Sequence, residues 1–335
     1  MGQKLETAAQ RLLAGGLVAF PTETVYGLGA DAENPAAIAR IYQAKGRPSN
    51  HPVIVHIAPG ADLGYWAQNV PDAARILAQA FWPGPLTLIL PRAPGIPDTV
   101  SGGQDSIGLR CPSHPIAQAL LQRFAELKGG QGGVAAPSAN KFGQVSPTQA
   151  KHVRNEFPEF DETDLLVLEG GSSQVGIEST IVDLSRLDQG TGPVLLRPGH
   201  ITAEELAAVL GVMPALPDQA APRVSGSLKA HYAPRTPLAL VERSRLDAVL
   251  ATAASRGERL AVVVFPPASE IATQQEGVTW HECSPDRVEY ARRLYALLRR
   301  LDQQGYDHIV MERPPATAAW QAVNDRLGRA AAAFE

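Results

Sequence analysis

The feature that most constrains the fold is a break in the hydrophobic pattern between Pro214 and Pro237. Over this stretch the periodicity of apolar residues disappears and Pro, Gly, Ser and Ala dominate, as in a linker at a domain boundary. The chain has 335 residues, 44% of them hydrophobic, which is enough for two domains. We therefore predict a first domain over 1–212, a linker over 213–237 and a second domain over 238–335.

Before the linker, strand-like and helical segments are mixed irregularly, and consecutive strands come near the end. This pattern predicts an α/β protein of the α+β kind, with a twisted mixed sheet. The predicted strands are Leu17–Phe20, Val53–Ile57, Leu86–Leu90, Ile107–Arg110, Val134–Ala136, Leu165–Leu168, Thr180–Leu184 and Val194–Arg197. The predicted helices are an opening helix that stops at Gly15-Gly16, then Pro35–Lys45, Asp72–Phe81, Pro115–Glu126 and Thr148–Phe157.

After the linker, strands alternate with helices in a regular way. The predicted strands are Leu238–Val241, Leu260–Phe265 and His308–Met311, and the predicted helices are Arg245–Ala254, Pro285–Gln303 and Ala318–Ala333. Such βαβ units are typical of a parallel sheet. We therefore predict a small Rossmann-like α/β domain at the end of the chain.

Charge and cysteine content limit the class of protein. The net charge is −4, so any contact with nucleic acid would need a local basic patch. The two cysteines, Cys111 and Cys283, lie far apart without CxxC neighbours, which argues against disulfides and thiolate metal sites. The N-terminal segment has helical periodicity rather than the pattern of a signal peptide. We expect a cytoplasmic protein that is neither secreted nor embedded in a membrane.

Three polar segments stand at places where ligands bind, although each has a purely structural explanation as well. The loop Pro21–Gly29 combines hydroxyls, a carboxylate and glycines after a buried strand, and it also fits a capped turn. Lys45-Gly46-Arg47 supplies a point charge and a fork for phosphate oxygens, and it also fits a cationic helix C-cap. Ala135–Asn140 with Ser146–Thr148 follows a strand, where open sheets hold ligands, and it also fits an Asx or Ser/Thr turn. Neither GxxxxGK[ST] nor GxGxxG is present.

Taken in order, these segments resemble the YrdC-like domain. The matching stretches are PTETVYGLG, KGRPSNHPVIVHI, FWPGPLTLIL, IGLRCPSHP, APSANKFGQVSPT, GIESTIVDL and LLRPGHI. They include a KxR pair, Lys45 with Arg47, and an SxN triplet, Ser138 with Asn140. The linker piece SGSLKAHYAPRTP and the ending NDRLGRAAA resemble the longer, two-domain Sua5 form. The resemblance to the Sua5/YrdC family covers nearly the whole chain.

The resemblance implies a YrdC-like twisted mixed sheet with helices around a deep, positively charged cavity, and it implies which side chains line that cavity. Lys45 and Arg47 would be catalytic through the phosphates, and Arg110 would pair with a carboxylate. The residues implied for L-threonine are Thr22, His56, Arg110, Ala136 and Ser179. Those implied for ATP are Lys45, Ser49, Ser106, Ser138, Asn140, Ser146 and Arg197, with His231 and Tyr232 of the linker approaching the nucleotide.

The implied activity is L-threonylcarbamoyladenylate synthesis from L-threonine, bicarbonate and ATP, without a protein nucleophile. The implied cofactor is Mg²⁺, held mainly by the ATP phosphates rather than by protein ligands. The product would pass to a tRNA threonylcarbamoyl transferase complex that modifies adenosine 37 of tRNA. Weak binding of tRNA by the chain itself stays open. An alternative is a module that binds double-stranded RNA or tRNA and has lost the synthase chemistry.

Overall fold

The structure is a computed structural model that describes residues 2–267 and 276–335. By packing, the chain divides into two units. The N-terminal unit combines the chain up to Phe142 with Ser146–Ser227, and the C-terminal unit combines Gly143–Val145 with Leu228–Glu335. None of the helices in the described ranges is both long enough and apolar enough to span a bilayer.

The N-terminal unit contains one nine-stranded sheet and its helices. The strands are β1 (Leu17–Phe20), β2 (Gly27–Asp31), β3 (Ile54–Ile57), β4 (Leu86–Pro91), β5 (Ser106–Arg110), β6 (Gly133–Ala135), β7 (Leu165–Val167), β8 (Thr180–Asp183) and β9 (Val194–Arg197). The α-helices are α1 (Gly2–Leu13), α2 (Pro35–Lys45), α3 (Leu63–Trp66), α4 (Asp72–Phe81), α5 (Pro115–Leu127), α6 (Ala150–Glu156) and α7 (Ala203–Leu210).

The sheet is mixed, as the sequence predicts. Its order is β7-β1-β2-β6-β3-β5-β4-β8-β9. Strand β3 runs parallel to β5, and β4 runs parallel to β8, whereas the pairs β3 with β6 and β4 with β5 are antiparallel. The carboxyl ends of β3 and β5 therefore lie at the same edge of the sheet, and both carry candidate site residues.

Strand β2 corrects the prediction that Pro21–Gly29 is a loop throughout. Gly27 pairs with Phe20 in an antiparallel register, and the strand continues to Asp31. A Cβ atom on Gly29 would lie 2.8 Å from the Phe20 ring, so a glycine is needed for this close approach. Because glycine has low strand propensity, the sequence pattern hides the strand.

The end of α2 fixes the spacing of two candidate cations. Asn34 caps the helix, and its side chain accepts hydrogen bonds from the backbone N–H groups of Ala36 and Ala37. Gly46 ends the helix in the left-handed conformation with φ of 62°. Lys45 is thereby the last helical residue, and both it and Arg47 have buried side chains.

Apolar side chains cover both faces of the nine-stranded sheet. Along β1, Leu17 and Ala19 belong to one core cluster, and Val18 and Phe20 belong to the other. This alternation is expected for a strand that is buried on both faces. Burial of each large apolar side chain contributes about 1.5–3 kcal/mol, so the two clusters hold the site residues on a rigid support.

The C-terminal unit confirms the predicted small parallel α/β domain. Its four parallel strands lie in the order β10-β13-β11-β12. The elements are β10 (Leu238–Val241), α8 (Leu246–Ser255), β11 (Leu260–Val264), β12 (Val278–Glu282), α9 (Arg287–Leu301), β13 (His308–Glu312) and α10 (Gln321–Ala331). Strand β12 was missed because it is a half-exposed edge strand whose sequence, VTWHE, has no continuous apolar run.

Candidate active site

Lys45 lies buried at the end of α2 and contacts the SxN triplet. Its Nζ atom donates hydrogen bonds to the backbone carbonyls of Ser138 and Asn140, each at 2.5 Å. Burial and the nearby Arg47 guanidinium lower the pKa of Lys45 well below its usual value. The structure therefore brings the KxR pair and the SxN triplet together, although they are about a hundred residues apart in the sequence.

Arg47 presents a second buried cation two residues further on. Its Nη2 atom donates to the carbonyl of Pro52 at 2.7 Å, and its guanidinium lies 5.7 Å from the centre of the Phe142 ring. The backbone N–H of Arg47 donates to the carbonyl of Tyr42. The Arg47 charge is one of the causes that lower the pKa of Lys45, so a bound anion would favour the protonated form of Lys45.

The SxN triplet follows directly on β6. Ser138 forms an isolated antiparallel bridge with Gly27, which places the triplet beside the start of β2. Asn140 is buried, and its Nδ2 atom donates to the carbonyl of Lys141 at 2.8 Å. These contacts fix the two carbonyls that receive Lys45.

Arg197, the last residue of β9, is joined to Ser179, the residue that precedes β8. The Nε and Nη2 atoms of Arg197 donate to the carbonyl and the hydroxyl of Ser179 at 3.0 and 3.1 Å. The Ser179 hydroxyl also exchanges a hydrogen bond with Thr87 at 2.7 Å. All three side chains are buried, so the predicted ATP residue Arg197 and the predicted threonine residue Ser179 form one network.

Ser146 is linked to the same strand end. Its hydroxyl donates to the carboxylate of Glu178 at 2.5 Å, and both residues are buried. Glu178 immediately precedes Ser179 in the chain. The contact therefore ties the loop after the SxN triplet to the start of β8.

Arg110 ends β5 in a dense set of hydrogen bonds. Its Nη1 atom donates to the Thr24 hydroxyl at 2.8 Å, and its Nη2 atom donates to the Glu23 carboxylate at 2.5 Å. The Thr24 hydroxyl exchanges a hydrogen bond with the Thr22 hydroxyl at 2.9 Å. The loop before β2 thus holds the guanidinium, and it brings Thr22 close to Arg110.

His56 lies opposite Arg110 on the parallel neighbour β3. Its ring packs edge-on against Phe20, with 6.0 Å between the ring centres. Burial, and to a lesser degree the Arg110 charge, lowers the pKa of His56 from 6.5 to about 3, so the ring is neutral near pH 7. The Ala136 backbone N–H donates to the carbonyl of Ile54 at 3.0 Å, so Ala136 follows β6 beside this strand.

Ser49 and Ser106 differ from the other candidates in burial. Ser49 is exposed in the turn after Arg47, whereas Ser106 is half-buried at the start of β5. The predicted role of each in ATP binding stays a prediction. Ser49 is the candidate for which the burial pattern gives the least support.

Part of the linker packs within the N-terminal unit, near Ser106. Gln104 and Arg223 exchange two hydrogen bonds, at 2.8 and 3.0 Å, between the Gln104 amide and the Arg223 backbone. The Nη1 atom of Arg197 donates to the carbonyl of Ser225 at 2.8 Å. Val224 between them is buried. These contacts order residues 223–225 against the sheet.

His231 and Tyr232 belong to the C-terminal unit and are buried. Tyr232 has a left-handed backbone with φ of 61°, and its ring stacks on Tyr295 with 5.9 Å between the ring centres. The Arg326 guanidinium lies 5.3 Å from the centre of the Tyr232 ring. The His231 backbone N–H donates to the carbonyl of Arg329 at 3.1 Å. The predicted approach of both residues to the nucleotide stays a prediction.

Sequence reasoning missed several side chains that organise the site. Glu23, Thr24, Thr87 and Glu178 are buried polar residues that bind predicted site residues directly. For Glu23 and Glu178 a signal existed, because each stands next to a strand end within a matched motif. Thr87 gave no such signal, since a threonine inside an apolar strand is ordinary.

The arrangement offers two kinds of binding chemistry. Lys45 and Arg47 form a buried cationic region suited to phosphate, and Arg110 forms a guanidinium–carboxylate pair suited to a small zwitterion. In residues 2–267 and 276–335, no cluster of His, Cys, Asp and Glu has the arrangement of a metal site.

Comparisons with known proteins identify the family of the chain. The Sua5/YciO/YrdC family model, described as telomere recombination, matches residues 10–199, and the model of the threonylcarbamoyl-AMP synthase C-terminal domain matches residues 201–332. Threonylcarbamoyl-AMP synthase of Bacillus subtilis is 39% identical over 345 residues, covering 98% of this chain and 93% of the relative. The enzyme of the same name from Pyrococcus abyssi is 36% identical over 340 residues, covering 98% and 94%.

A solved structure is similar over the whole chain. The crystal structure of Pyrococcus abyssi Sua5 complexed with L-threonine has a TM-score of 0.86 and 35% sequence identity, and the match covers 100% of this chain and 95% of that one. The two family models match successive parts of the chain, residues 10–199 and 201–332, and each of the two relatives aligns with 98% of the chain. The resemblance found in the sequence is confirmed, and the chain belongs to the Sua5/YrdC family in its two-domain Sua5 form.

Proposed function

We propose that the chain is an L-threonylcarbamoyladenylate synthase, a nucleotidyltransferase that condenses L-threonine, bicarbonate and ATP. The observation that carries the proposal is the presence, in one unit, of the buried Lys45–Arg47 cations and the buried Arg110 network. Full-length relatives named threonylcarbamoyl-AMP synthase support the same activity.

The proposed reaction needs no protein nucleophile. The amine of threonine attacks CO₂ formed from bicarbonate, loses a proton and becomes a carbamate. A carbamate oxygen then attacks the α-phosphorus of ATP, and the bond from that phosphorus to the bridging oxygen breaks as pyrophosphate leaves. Such a reaction is accelerated by orienting the two substrates and by stabilising the charge that develops on the phosphate oxygens.

The nucleotide side of the site is assigned to the cations and the polar residues around them. Lys45 and Arg47 face the phosphates as a point charge and a fork. The further ATP contacts that we propose are Ser49, Ser106, Ser138, Asn140, Ser146 and Arg197. Mg²⁺, when bound with ATP, screens the phosphate charge. The positive charge of Lys45 and Arg47 fits a site in which phosphate oxygens rather than protein carboxylates hold that ion.

The threonine side of the site is assigned to Arg110 and its neighbours. Arg110 takes the threonine carboxylate, because a guanidinium binds a carboxylate through parallel hydrogen bonds. His56 is neutral, so it can accept or donate a hydrogen bond without adding a charge. Thr22, Ala136 and Ser179 complete the subsite.

The linker is proposed as the cover of the site. A carbamate loses CO₂ readily in water, so excluding solvent protects the intermediate. Residues 223–225 are held against the sheet by Gln104 and Arg197, which supports an ordered linker. His231 and Tyr232 are proposed to reach the nucleotide from the same segment.

The product is a mixed anhydride with AMP, so a group transfer must consume it. The proposed consumer is a tRNA threonylcarbamoyl transferase complex in the cytoplasm. The alternative of a silent RNA-binding module predicts no ATP turnover that depends on threonine. The same chain under that alternative would tolerate the loss of Lys45.

The test is pyrophosphate release from ATP, Mg²⁺ and bicarbonate, with and without L-threonine. Release should require threonine and bicarbonate, and it should fall to background in Lys45→Ala and Arg47→Ala. Lys128→Ala and Arg123→Ala are matched controls, because each removes a partly exposed cation of the same unit and should leave release unchanged. Pyrophosphate release that does not depend on threonine, or wild-type release from both Lys45→Ala and Arg47→Ala, would refute the proposed function.

A further inference from the structure

Glu23 stands behind Arg110 as its buried counter-ion. We propose that Glu23 is a positioning residue that orients Arg110 and cancels its charge, so that the subsite takes an amino-acid zwitterion rather than a phosphate-like anion. The inference rests on the proposed function, because it assumes that Arg110 binds the threonine carboxylate.

Protein contacts at all three nitrogens orient the Arg110 guanidinium. Each terminal nitrogen of Arg110 uses one N–H on the protein: Nη1 on the Thr24 hydroxyl at 2.8 Å, and Nη2 on a Glu23 carboxylate oxygen at 2.5 Å. Its Nε atom faces the carbonyl of Gly84 at 3.4 Å. Each terminal nitrogen carries a second N–H. One N–H on each terminal nitrogen is therefore left for a ligand carboxylate.

Glu23 is itself held in place from several sides. Its second carboxylate oxygen accepts a hydrogen bond from the backbone N–H of Ser113 at 3.0 Å. Its backbone carbonyl accepts from the N–H of Val175 at 2.7 Å. The exposed fraction of Glu23 is 4%, and so is that of Arg110. A carboxylate fixed at both oxygens can fix the guanidinium that it contacts.

Arg110 and Lys45 differ in the charge of the groups that they contact. Lys45 donates to two backbone carbonyls, which satisfy its hydrogen bonds but leave a full positive charge on its protonated form. Arg110 contacts a carboxylate, so the pair is electrically neutral. A neutral pair is suited to a ligand that carries both an ammonium and a carboxylate, whereas a buried cation whose hydrogen bonds go to backbone carbonyls is suited to an anion. The two subsites would thus separate amino acid from phosphate.

The experiment compares Glu23→Gln with Glu23→Asp in the full-length chain. We would measure L-threonine binding by calorimetry, and KM for threonine, KM for ATP and kcat by pyrophosphate release. We would also measure inhibition of pyrophosphate release by sodium sulfate, which serves as a phosphate-like anion, at constant ionic strength. Glu312→Gln is the matched control, because Glu312 is a buried glutamate that pairs with Arg243 in the C-terminal unit.

For Glu23→Gln we expect KM for threonine to rise about 10- to 100-fold, the range expected when a hydrogen bond to a charged group is lost. KM for ATP and kcat should change by less than about threefold, and sulfate should become competitive with threonine because the Arg110 charge is no longer cancelled. Glu23→Asp keeps the charge but shortens the side chain. It should weaken threonine binding without creating sulfate inhibition.

Several outcomes would overturn the inference. Threonine binding at the wild-type level in Glu23→Gln, or in Glu23→Asp if the glutamine variant does not fold, excludes a positioning role. A fall in kcat together with a rise in both KM values in Glu23→Gln, with the same changes in Glu312→Gln, would show a general structural effect. A wild-type chain that binds no threonine refutes the proposed function itself, which these variants leave distinguishable.

Discussion

Arg197 donates two hydrogen bonds to Ser179, from its Nε atom to the backbone carbonyl at 3.0 Å and from its Nη2 atom to the hydroxyl at 3.1 Å. Its Nη1 atom binds the carbonyl of Ser225 in the linker at 2.8 Å. One planar side chain therefore connects β9, the start of β8 and the linker. The linker residue Ser225 and the site candidate Ser179 therefore depend on the same guanidinium.

We expect Arg197→Lys to weaken ATP binding although the substitution keeps the positive charge. A lysine ammonium cannot reproduce the fork that serves Ser179 and Ser225 together. Loss of these buried hydrogen bonds should raise KM for ATP by about tenfold or more, at about 1.5–3 kcal/mol for bonds to a charged group. Steady-state pyrophosphate release measures the change. Arg186→Lys, at another arginine of the N-terminal unit, is the control, and an equal effect there would contradict the assignment.

His56 should make the stability of the protein fall in acid. Its pKa is lowered from 6.5 to about 3 in the folded state, so the unfolded chain binds more protons between these values. The contribution of the neutral His56 ring to the free energy of unfolding is fully present above pH 6.5 and is lost as the pH falls toward 3. Each pH unit in this window costs about 1.4 kcal/mol.

The measurement is the free energy of unfolding of wild type and His56→Gln at pH 7 and pH 5. Wild type should lose about 2 kcal/mol more than the variant between these two values, because only wild type carries the buried titrating ring. His308→Gln is the control, since His308 is half-exposed on the C-terminal unit. A pH dependence that is identical in wild type and His56→Gln would refute the prediction.

Local sequence signals were sufficient to predict the helix that carries Lys45, but not the contacts of Lys45 and Arg110 with distant residues. The helix before Lys45 was predicted with its cap, because Asn34, the following proline and the final glycine act locally. The meeting of Lys45 with Asn140 was implied only by the family resemblance, since it depends on how distant strands pair. Glu23 was missed because its role depends on Arg110, which lies far along the chain and reaches the loop only through the sheet.

Gly46 should be required for the geometry of the two cations rather than for space. Its φ is 62°, and a Cβ atom added there would meet no atom within 4 Å. Gly46→Ala should therefore cost about 1–2 kcal/mol of backbone strain without a clash. Because relief of that strain shifts Lys45 relative to Arg47, KM for ATP should also rise.

Gly60→Ala provides the matched control, because Gly60 has φ of 78° and equally open surroundings. Both variants should lose similar stability in thermal unfolding, and only Gly46→Ala should lose affinity for ATP. Equal kinetics in the two variants would mean that the conformation at Gly46 serves the helix end alone.

Tyr232 should matter for catalysis through the conformation in which it is held. A non-glycine residue with φ of 61° is strained, and here it is kept by the Tyr295 ring and the Arg326 guanidinium. If Tyr232 approaches the nucleotide as proposed, Tyr232→Ala should raise KM for ATP by about tenfold, the effect of losing one aromatic stacking contact. Arg326→Met should cause part of the same loss, because it removes the guanidinium that lies over the Tyr232 ring. Tyr306→Ala, at another tyrosine of the C-terminal unit, should leave the kinetics unchanged. Normal ATP kinetics in Tyr232→Ala would refute a role of the linker in nucleotide binding and would leave residues 228–233 with a purely structural role in the C-terminal unit.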